Sequence, residues 1–314
     1  METVIEVKGL TRKFGYMVAV DHVEFEVYQG EIFGFLGPNG AGKTTTVRML
    51  TGVIDPTEGT ASIQGHDISE EPLLSRAHIA VVPEEANVYL DLSVWQNLML
   101  MAELHGVGRD RRFQEADRLL DALGLADRKK QKARVLSKGL RQRLMLCAAL
   151  VTGPEVLFLD EPTSGLDVQS ARLIRQIVSD LNRSGLTVFL TTHNMSEADE
   201  MCSRVAIIDK GCIAAIDTPE KLRSIMSSRQ YVEVCFAGAV AEHNELESLP
   251  GVSKVDADNR TFRLYSKLPG QVVTEVVRLA DSRGLEITDL GNHKPSLEDV
   301  FLHFTSERKK RGLQ

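Results

Sequence analysis

The residues most able to do chemistry are "GPNGAGKTT" at 37–45, which follow the apolar run "EIFGFLG" and open the helical segment "TTTVRML". Their chemistry is phosphate binding. Gly37, Gly40 and Gly42 let the backbone curl so that successive N–H groups point at β- and γ-phosphate oxygens, and Lys43 adds a positive charge. Thr44 offers its hydroxyl to Mg²⁺, while Pro38, Asn39, Ala41 and Thr45 complete the loop. Lysine and threonine after the last glycine, between strand and helix, separate this pattern from an ordinary glycine-rich turn.

A second group lies in "VLFLDEP" at 156–162. Asp160, ending an apolar strand, can hold the Mg²⁺ shell through water. Glu161 is expected to point the other way from the strand terminus, where it could orient and deprotonate an attacking water. His193 in "TTHNMSEAD" follows another apolar strand, so it is expected at the same carboxyl edge, bonded to the γ-phosphate or to Glu161. Farther back, "LSKGLRQR" at 136–143 precedes "LMLCAALV". Ser137 and Gly139 there open a helix whose first amides lack intrahelical partners, which makes a second anion site.

These residues need a scaffold. "EIFGFLG", "EVLFLD" and "TVFLTT" read as buried parallel strands of an α/β fold, with the helical stretch 168–182 as a crossover between the last two. "VIEVKGL" and "HVEFEV" alternate as antiparallel strands before them, and a helix-rich insertion occupies about 87–151. Beyond Met226 the pattern changes to strand, helix, strand, strand, helix, strand, closed by a helix through Leu297, Val300, Phe301 and Phe304. The expected division is therefore 1–226 and a small α+β ferredoxin-like domain at 227–314. No catalytic set occurs in the second part, which suits docking or regulation.

Composition excludes several classes. With 43% hydrophobic and 26% charged residues over 314, the chain reads as an ordinary globular protein. A net charge of −7 argues against nucleic acid as a partner. No apolar stretch approaches the roughly 18 residues of a membrane span, and "METVIEVKGL" lacks the features of a signal peptide, so a cytosolic chain is expected. The basic tail at 307–312 reads as a solvated end, with anionic headgroups as the alternative contact. Cys147, Cys202, Cys212 and Cys235 form no metal-spaced pair; Cys147 and Cys235 lie in apolar runs and read as reduced core residues.

Taken in order, the phosphate loop, "LSKGLRQR", "VLFLDEP", "SGLD" and "TTH" resemble an ATP-binding cassette (ABC) ATPase, the motor subunit of ABC transporters. The resemblance covers about residues 1–217, and "SLEDVFLHFT" resembles the C-terminal region of exporter-type cassettes. It implies a P-loop NTPase domain with an N-terminal antiparallel β subdomain and a helical insertion, using ATP and Mg²⁺ on the cytoplasmic face of a membrane. The implied partners are a separate integral-membrane permease and a second cassette, identical or homologous, meeting this one head to tail. Ser137 and Gly139 would then contact ATP in trans, and Asp167 would organise the seam. Adenine would stack on Phe14, with Tyr16 the rival. Val88 and Tyr89, in the loop from Glu84, would receive the permease's coupling helix.

Two positions depart from the family pattern: Glu84 stands where glutamine is usual, and Ser-Lys-Gly-Leu replaces Ser-Gly-Gly-Gln. Glu84 is an additional candidate Mg²⁺ ligand, and Lys138 would offset its charge in the shared site. Non-transport relatives fit less well, because the long coiled coils of DNA-repair cassettes and the tandem cassettes of ribosome factors are both missing from this sequence.

Overall fold

The computed structural model describes residues 2–226, 230–237 and 241–310, the side chains of 306–310 excepted. The side chains of the basic run at 307–312 thus lie outside the described residues. Two units divide the chain, Met1–Ile216 and Asp217–Gln314.

The first unit begins with β1 (Thr3–Phe14), β2 (Met17–Tyr28) and β3 (Ile32–Leu36), followed by α1 (Lys43–Leu50), β4 (Glu58–Ile63) and β5 (His66–Asp67). Next come α2 (Pro72–Ala77), β6 (Ile79–Val82), α3 (Val94–Leu104), α4 (Arg109–Ala122) and α5 (Lys138–Leu150). It continues through β7 (Val156–Asp160), α6 (Val168–Arg183), β8 (Thr187–Thr192), α7 (Met195–Met201), β9 (Arg204–Asp209) and β10 (Cys212–Asp217). An antiparallel sheet takes the order β2-β1-β4-β5, and a six-stranded sheet takes β10-β9-β3-β8-β7-β6. Pairing is parallel from β9 through β3, β8 and β7 to β6.

Both faces of the larger sheet are covered, which is why β3, β7 and β8 are buried at every position. Period-two alternation still sorts their side chains. Phe33 and Phe35 on β3, Phe158 on β7 and Phe189 on β8 pack with Phe25 of the antiparallel sheet in one core, with Phe158 and Phe189 centroids 5.2 Å apart. The helices α3, α4 and α5 pack on one another in the predicted insertion. A capping box of Ser93 and Gln96 starts α3, Ser137 caps α5, and Asp167 caps α6.

The second unit holds α8 (Pro219–Ile225), β11 (Tyr231–Ala237), α9 (His243–Glu247), β12 (Lys254–Asp258) and β13 (Thr261–Tyr265), then α10 (Pro269–Arg283), β14 (Glu286–His293) and α11 (Leu297–Lys310). Its antiparallel sheet runs β12-β13-β11-β14, the strand order of a ferredoxin-like fold. Val232, Val234, Phe262 and Leu264 face Leu246 of α9 and Val272, Val276 and Ala280 of α10. Because α8 packs on α11, the second unit starts at Asp217, ahead of the change of pattern at Met226.

None of the four cysteines, all within the described residues, forms a disulfide. Burial pushes the Cys147 thiol up to about 12 and raises Cys202 as well, so neither is a nucleophile. Cys235, expected in the core, is half-buried on the other face of its strand beside Thr261, whereas Cys202 is buried in the first unit.

Candidate active site

Between β3 and α1 the phosphate loop is built against backbone. A Cβ on Gly37 would sit 2.3 Å from the carbonyl of Ile208, and one on Gly42 (φ 110°) would sit 2.7 Å from that of Ala19. Glycine is required at both. The loop floors a cavity of about 510 Å³, lined by Asn39, Gly40, Gly42, Lys43, Thr44 and Thr45, a size suited to a nucleotide. Gly37, Pro38 and Ala41 do not line it. They shape the loop: the carbonyls of Gly37 and Pro38 accept from Lys43 Nζ at 2.8 and 3.2 Å, and that of Ala41 accepts from the Gly211 amide at 2.9 Å.

Phe14, Met17, Val18 and Ala19 form the apolar end of the cavity, where a base would lie. Phe14 lines it and Tyr16 does not. The Arg12 guanidinium covers one face of the Phe14 ring at 4.7 Å, leaving the other for stacking.

Strand alternation explains the acidic side. Asp160 follows Phe158 on the face toward α1, and Thr191 follows Phe189 on the same face. Asp160 Oδ1 accepts from Thr191 Oγ1 at 2.5 Å and lies 3.4 Å from Thr44 Oγ1. An alcohol and a carboxylate converging beside a phosphate cradle are hard oxygen donors, the set that suits Mg²⁺ with water and phosphate as further ligands. Among the described residues no three His, Cys, Asp or Glu side chains converge to hold a metal. A dedicated protein cage is therefore not what this site offers.

Glu161 departs from the alternation. Its backbone is left-handed, φ 49°, which is uncommon for a non-glycine residue and swings the carboxylate back to the phosphate loop rather than away from it. Oε2 is 2.8 Å from His193 Nδ1, and Oε1 lies 3.1 Å from Lys43 Nζ. The lysine contact is an ion pair without hydrogen-bond alignment, so buried Oε1 accepts no hydrogen bond. Of the two partners expected for His193, the structure gives Glu161.

Ser137 and Gly139 lie at the start of α5 and do not line this cavity. Ser137 Oγ accepts from the Leu140 amide at 3.3 Å, while a Cβ on Gly139 would strike Ser170 Oγ at 2.5 Å, so the helix end is packed close against α6. Asp167 accepts from the amide and hydroxyl of Ser170, both at 2.8 Å, and these bonds hold its carboxyl below the ordinary range. Glu84 lines the cavity, but its Oε1 accepts from Ser164 Oγ at 3.1 Å. Lys138 does not face Glu84. Its Nζ donates to the Ser164 carbonyl at 2.7 Å, so the two departures from the family pattern meet through Ser164 within one chain.

Two participants carried no signal in the sequence. Lys210, in a left-handed turn between β9 and β10 (φ 48°), also lines the cavity. Glu197 lies buried, bonded to Thr192, the residue before His193. Finding the first needed the hairpin, since a lysine before glycine is ordinary turn chemistry; finding the second needed the strand register.

A family model described as "ABC transporter" matches residues 20–164, and one described as "ATP-binding protein DrrA1-3-like, C-terminal domain" matches residues 218–305. The daunorubicin resistance ATP-binding protein DrrA3 of Streptomyces coeruleorubidus is 36% identical over 310 residues, 98% of this chain and 98% of that protein. The linearmycin resistance ATP-binding protein LnrL of Bacillus subtilis is 32% identical over 308 residues, 96% and 98% of the two chains. A solved ATP-binding subunit of an ABC transporter aligns with a TM-score of 0.66 at 28% identity, over 71% of this chain and 93% of that one. A dimeric cassette in a post-hydrolysis state, bound to ADP and Pi, aligns with a TM-score of 0.62 at 25% identity, over 68% and 98%. Full-length likeness and an ordered phosphate loop, Asp160, Glu161 and His193 agree: the chain belongs to the ATP-binding proteins of ABC transporters and is an ATPase of the P-loop fold.

Proposed function

We propose that the chain drives an exporter of small hydrophobic or antibiotic-like molecules, through a separate permease, from the cytoplasmic face of a membrane. Support for export comes from relatives named for daunorubicin and linearmycin resistance, similar over the whole chain. Among the described residues no helix is long and apolar enough to cross a membrane, and the path is assigned to the separate permease. Half-exposed Tyr89, in the loop that starts at Glu84, is the docking point assigned to that partner.

The observation that carries the mechanism is Glu161, which lines the cavity and whose buried Oε1 has the Lys43 ion pair but no hydrogen bond. That oxygen is the atom available to take a proton from water as the water attacks the γ-phosphorus. His193 holds the opposite carboxylate oxygen and so fixes the base. Lys43 and the loop amides receive charge on the phosphate oxygens, and adenine stacks on Phe14. Thr44 and Asp160 would hold Mg²⁺, which supplies neutralisation of phosphate charge. Ser137 and Gly139 serve the cavity of a second cassette, since they stand outside their own; the dimer closes on ATP and opens after hydrolysis.

Affinity purification from detergent-solubilised native membranes tests this reading. A polytopic membrane protein is expected in stoichiometric amount. Recovery of active ATPase with soluble partners alone would refute the transport role.

A further inference from the structure

Glu197 is a buried acid that the mechanism above leaves unused, only 2% exposed on α7 behind the sheet edge. Each of its oxygens has one strong partner. Oε1 accepts from Thr163 Oγ1 at 2.8 Å, and Oε2 accepts from Thr192 Oγ1 at 2.8 Å. The Asn194 side chain caps α7 by accepting from the amides of Ser196 and Glu197, which fixes where the acid stands. Thr192 Oγ1 in turn accepts from the Asn194 amide at 3.0 Å, so the hydroxyl proton is committed to Glu197.

The two threonines bracket the reacting pair. Thr163 lies two residues beyond Glu161, and Thr192 immediately precedes His193. The parallel ladder between β7 and β8 ends at Asp160 and Thr191, with one further bond from the Glu161 amide to the Thr191 carbonyl at 3.1 Å. Past that point the chain leaves the sheet at 162–164 and, after Thr192, which still pairs with Leu36 of β3, at 193–194. Among the described residues, the hydrogen bonds that join these segments at the site are the Glu161–His193 contact and the two made by Glu197. Alternation places Thr192 on the sheet face opposite Thr191, so Glu197 works from behind the edge while Asp160 works from the front.

We infer that Glu197 is a positioning residue: its carboxylate cross-links the two segments that carry Glu161 and His193 and thereby holds the base in register with the γ-phosphate. The inference rests on the ATPase reading. It is distinct from it, because Glu197 neither lines the cavity nor touches the phosphate loop. Glutamine can reproduce the brace, accepting from one threonine and donating to the other.

Steady-state ATPase assays on the full chain decide the matter, with Glu197→Ala, Glu197→Gln and Thr163→Val compared with wild type. Glu197→Ala is expected to lower kcat by about tenfold or more while KM for MgATP stays within about twofold, because misplacing a general base forfeits part of its rate contribution. Glu197→Gln is expected to restore most of the turnover, and Thr163→Val, which cuts one arm, to fall between. Should Glu197→Ala not fold, Thr163→Val carries the comparison. Wild-type turnover in a variant lacking the brace would overturn the inference, as would loss that appears equally in KM. Absence of turnover in the wild type would instead remove the ATPase reading beneath it.

Discussion

At the scale of single residues, Glu161, the proposed base, shows why such a side chain is hard to place from a strand pattern. Simple alternation aims the side chain after Asp160 away from the nucleotide, yet a left-handed backbone returns it to Lys43 and His193. Strain of this kind persists where surrounding contacts over-determine the conformation, here the Glu161 amide bonded to Thr191 and its carboxylate to His193. Glu161→Gln keeps the shape and removes the proposed base. Turnover is expected to fall by about 10²-fold or more with MgATP binding retained, and light scattering should show a nucleotide-trapped dimer. A monomer at saturating MgATP would contradict the shared-site model. Glu197 bears on pH in a different way. Desolvation raises its carboxyl above the ordinary 4.5, with repulsion from Glu161 adding to the rise, while Thr163, Thr192 and Arg175 pull it down. A raised folded value means the native state binds the proton more tightly than the unfolded chain. Stability from this group is full below 4.5 and is lost as pH rises through the folded value. Thermal midpoints between about pH 5 and about pH 8 should therefore shift in favour of Glu197→Gln as pH rises; a constant difference would mean that the group titrates alike in both states.

Among elements, the start of α5 shows what sequence conveys and what it withholds. Its serine cap and glycine were legible, because capping chemistry and an anion-ready helix end follow from residue type and spacing. So were β3, β7 and β8, whose apolar runs between turn signals admit little else. Short β6 and the β9–β10 hairpin carried weaker patterns, and without that hairpin Lys210 could not be placed beside the phosphate loop. The partner of Lys138 was also hidden. Charge balance would join it to Glu84 directly, whereas a long side chain at the first helical position reaches the turn before α6 and bonds a carbonyl instead. Gly165 leaves room for it: a Cβ there, at φ 63°, would stand 2.5 Å from Lys138 Nζ. Since Ser164 binds Lys138 through its carbonyl and Glu84 through its hydroxyl, the effects of Lys138→Gly and Glu84→Gln on kcat should be non-additive by about twofold or more. Repeating the cycle in Ser164→Ala should abolish that coupling, because the hydroxyl link is gone. Coupling that survives the serine change would assign the interaction to another route.

For the whole molecule, the two units differ in what they are built to do. Every residue that lines the nucleotide cavity, from Phe14 to Lys210, belongs to Met1–Ile216, and that unit's core joins the antiparallel and parallel sheets around α1. The second unit has a separate core, with Val232, Val234, Phe262 and Leu264 packed on α9 and α10, so its apolar faces are satisfied within Asp217–Gln314. A ferredoxin-like sheet with its own core and no lining residue at the cavity is expected to fold by itself, and the cassette to hold a nucleotide without it. A chain ending at Ile216 should accordingly bind MgATP within about threefold of the full-length affinity, since no contact with the ligand is removed. The fragment Asp217–Gln314 should unfold cooperatively by itself, with the far-ultraviolet circular dichroism of a mixed α/β fold. Titration calorimetry on the first fragment and thermal denaturation on the second give the answer. Loss of nucleotide affinity in the truncated cassette, despite a native spectrum, would show that the C-terminal unit acts on the site, and would favour regulation over docking as its role.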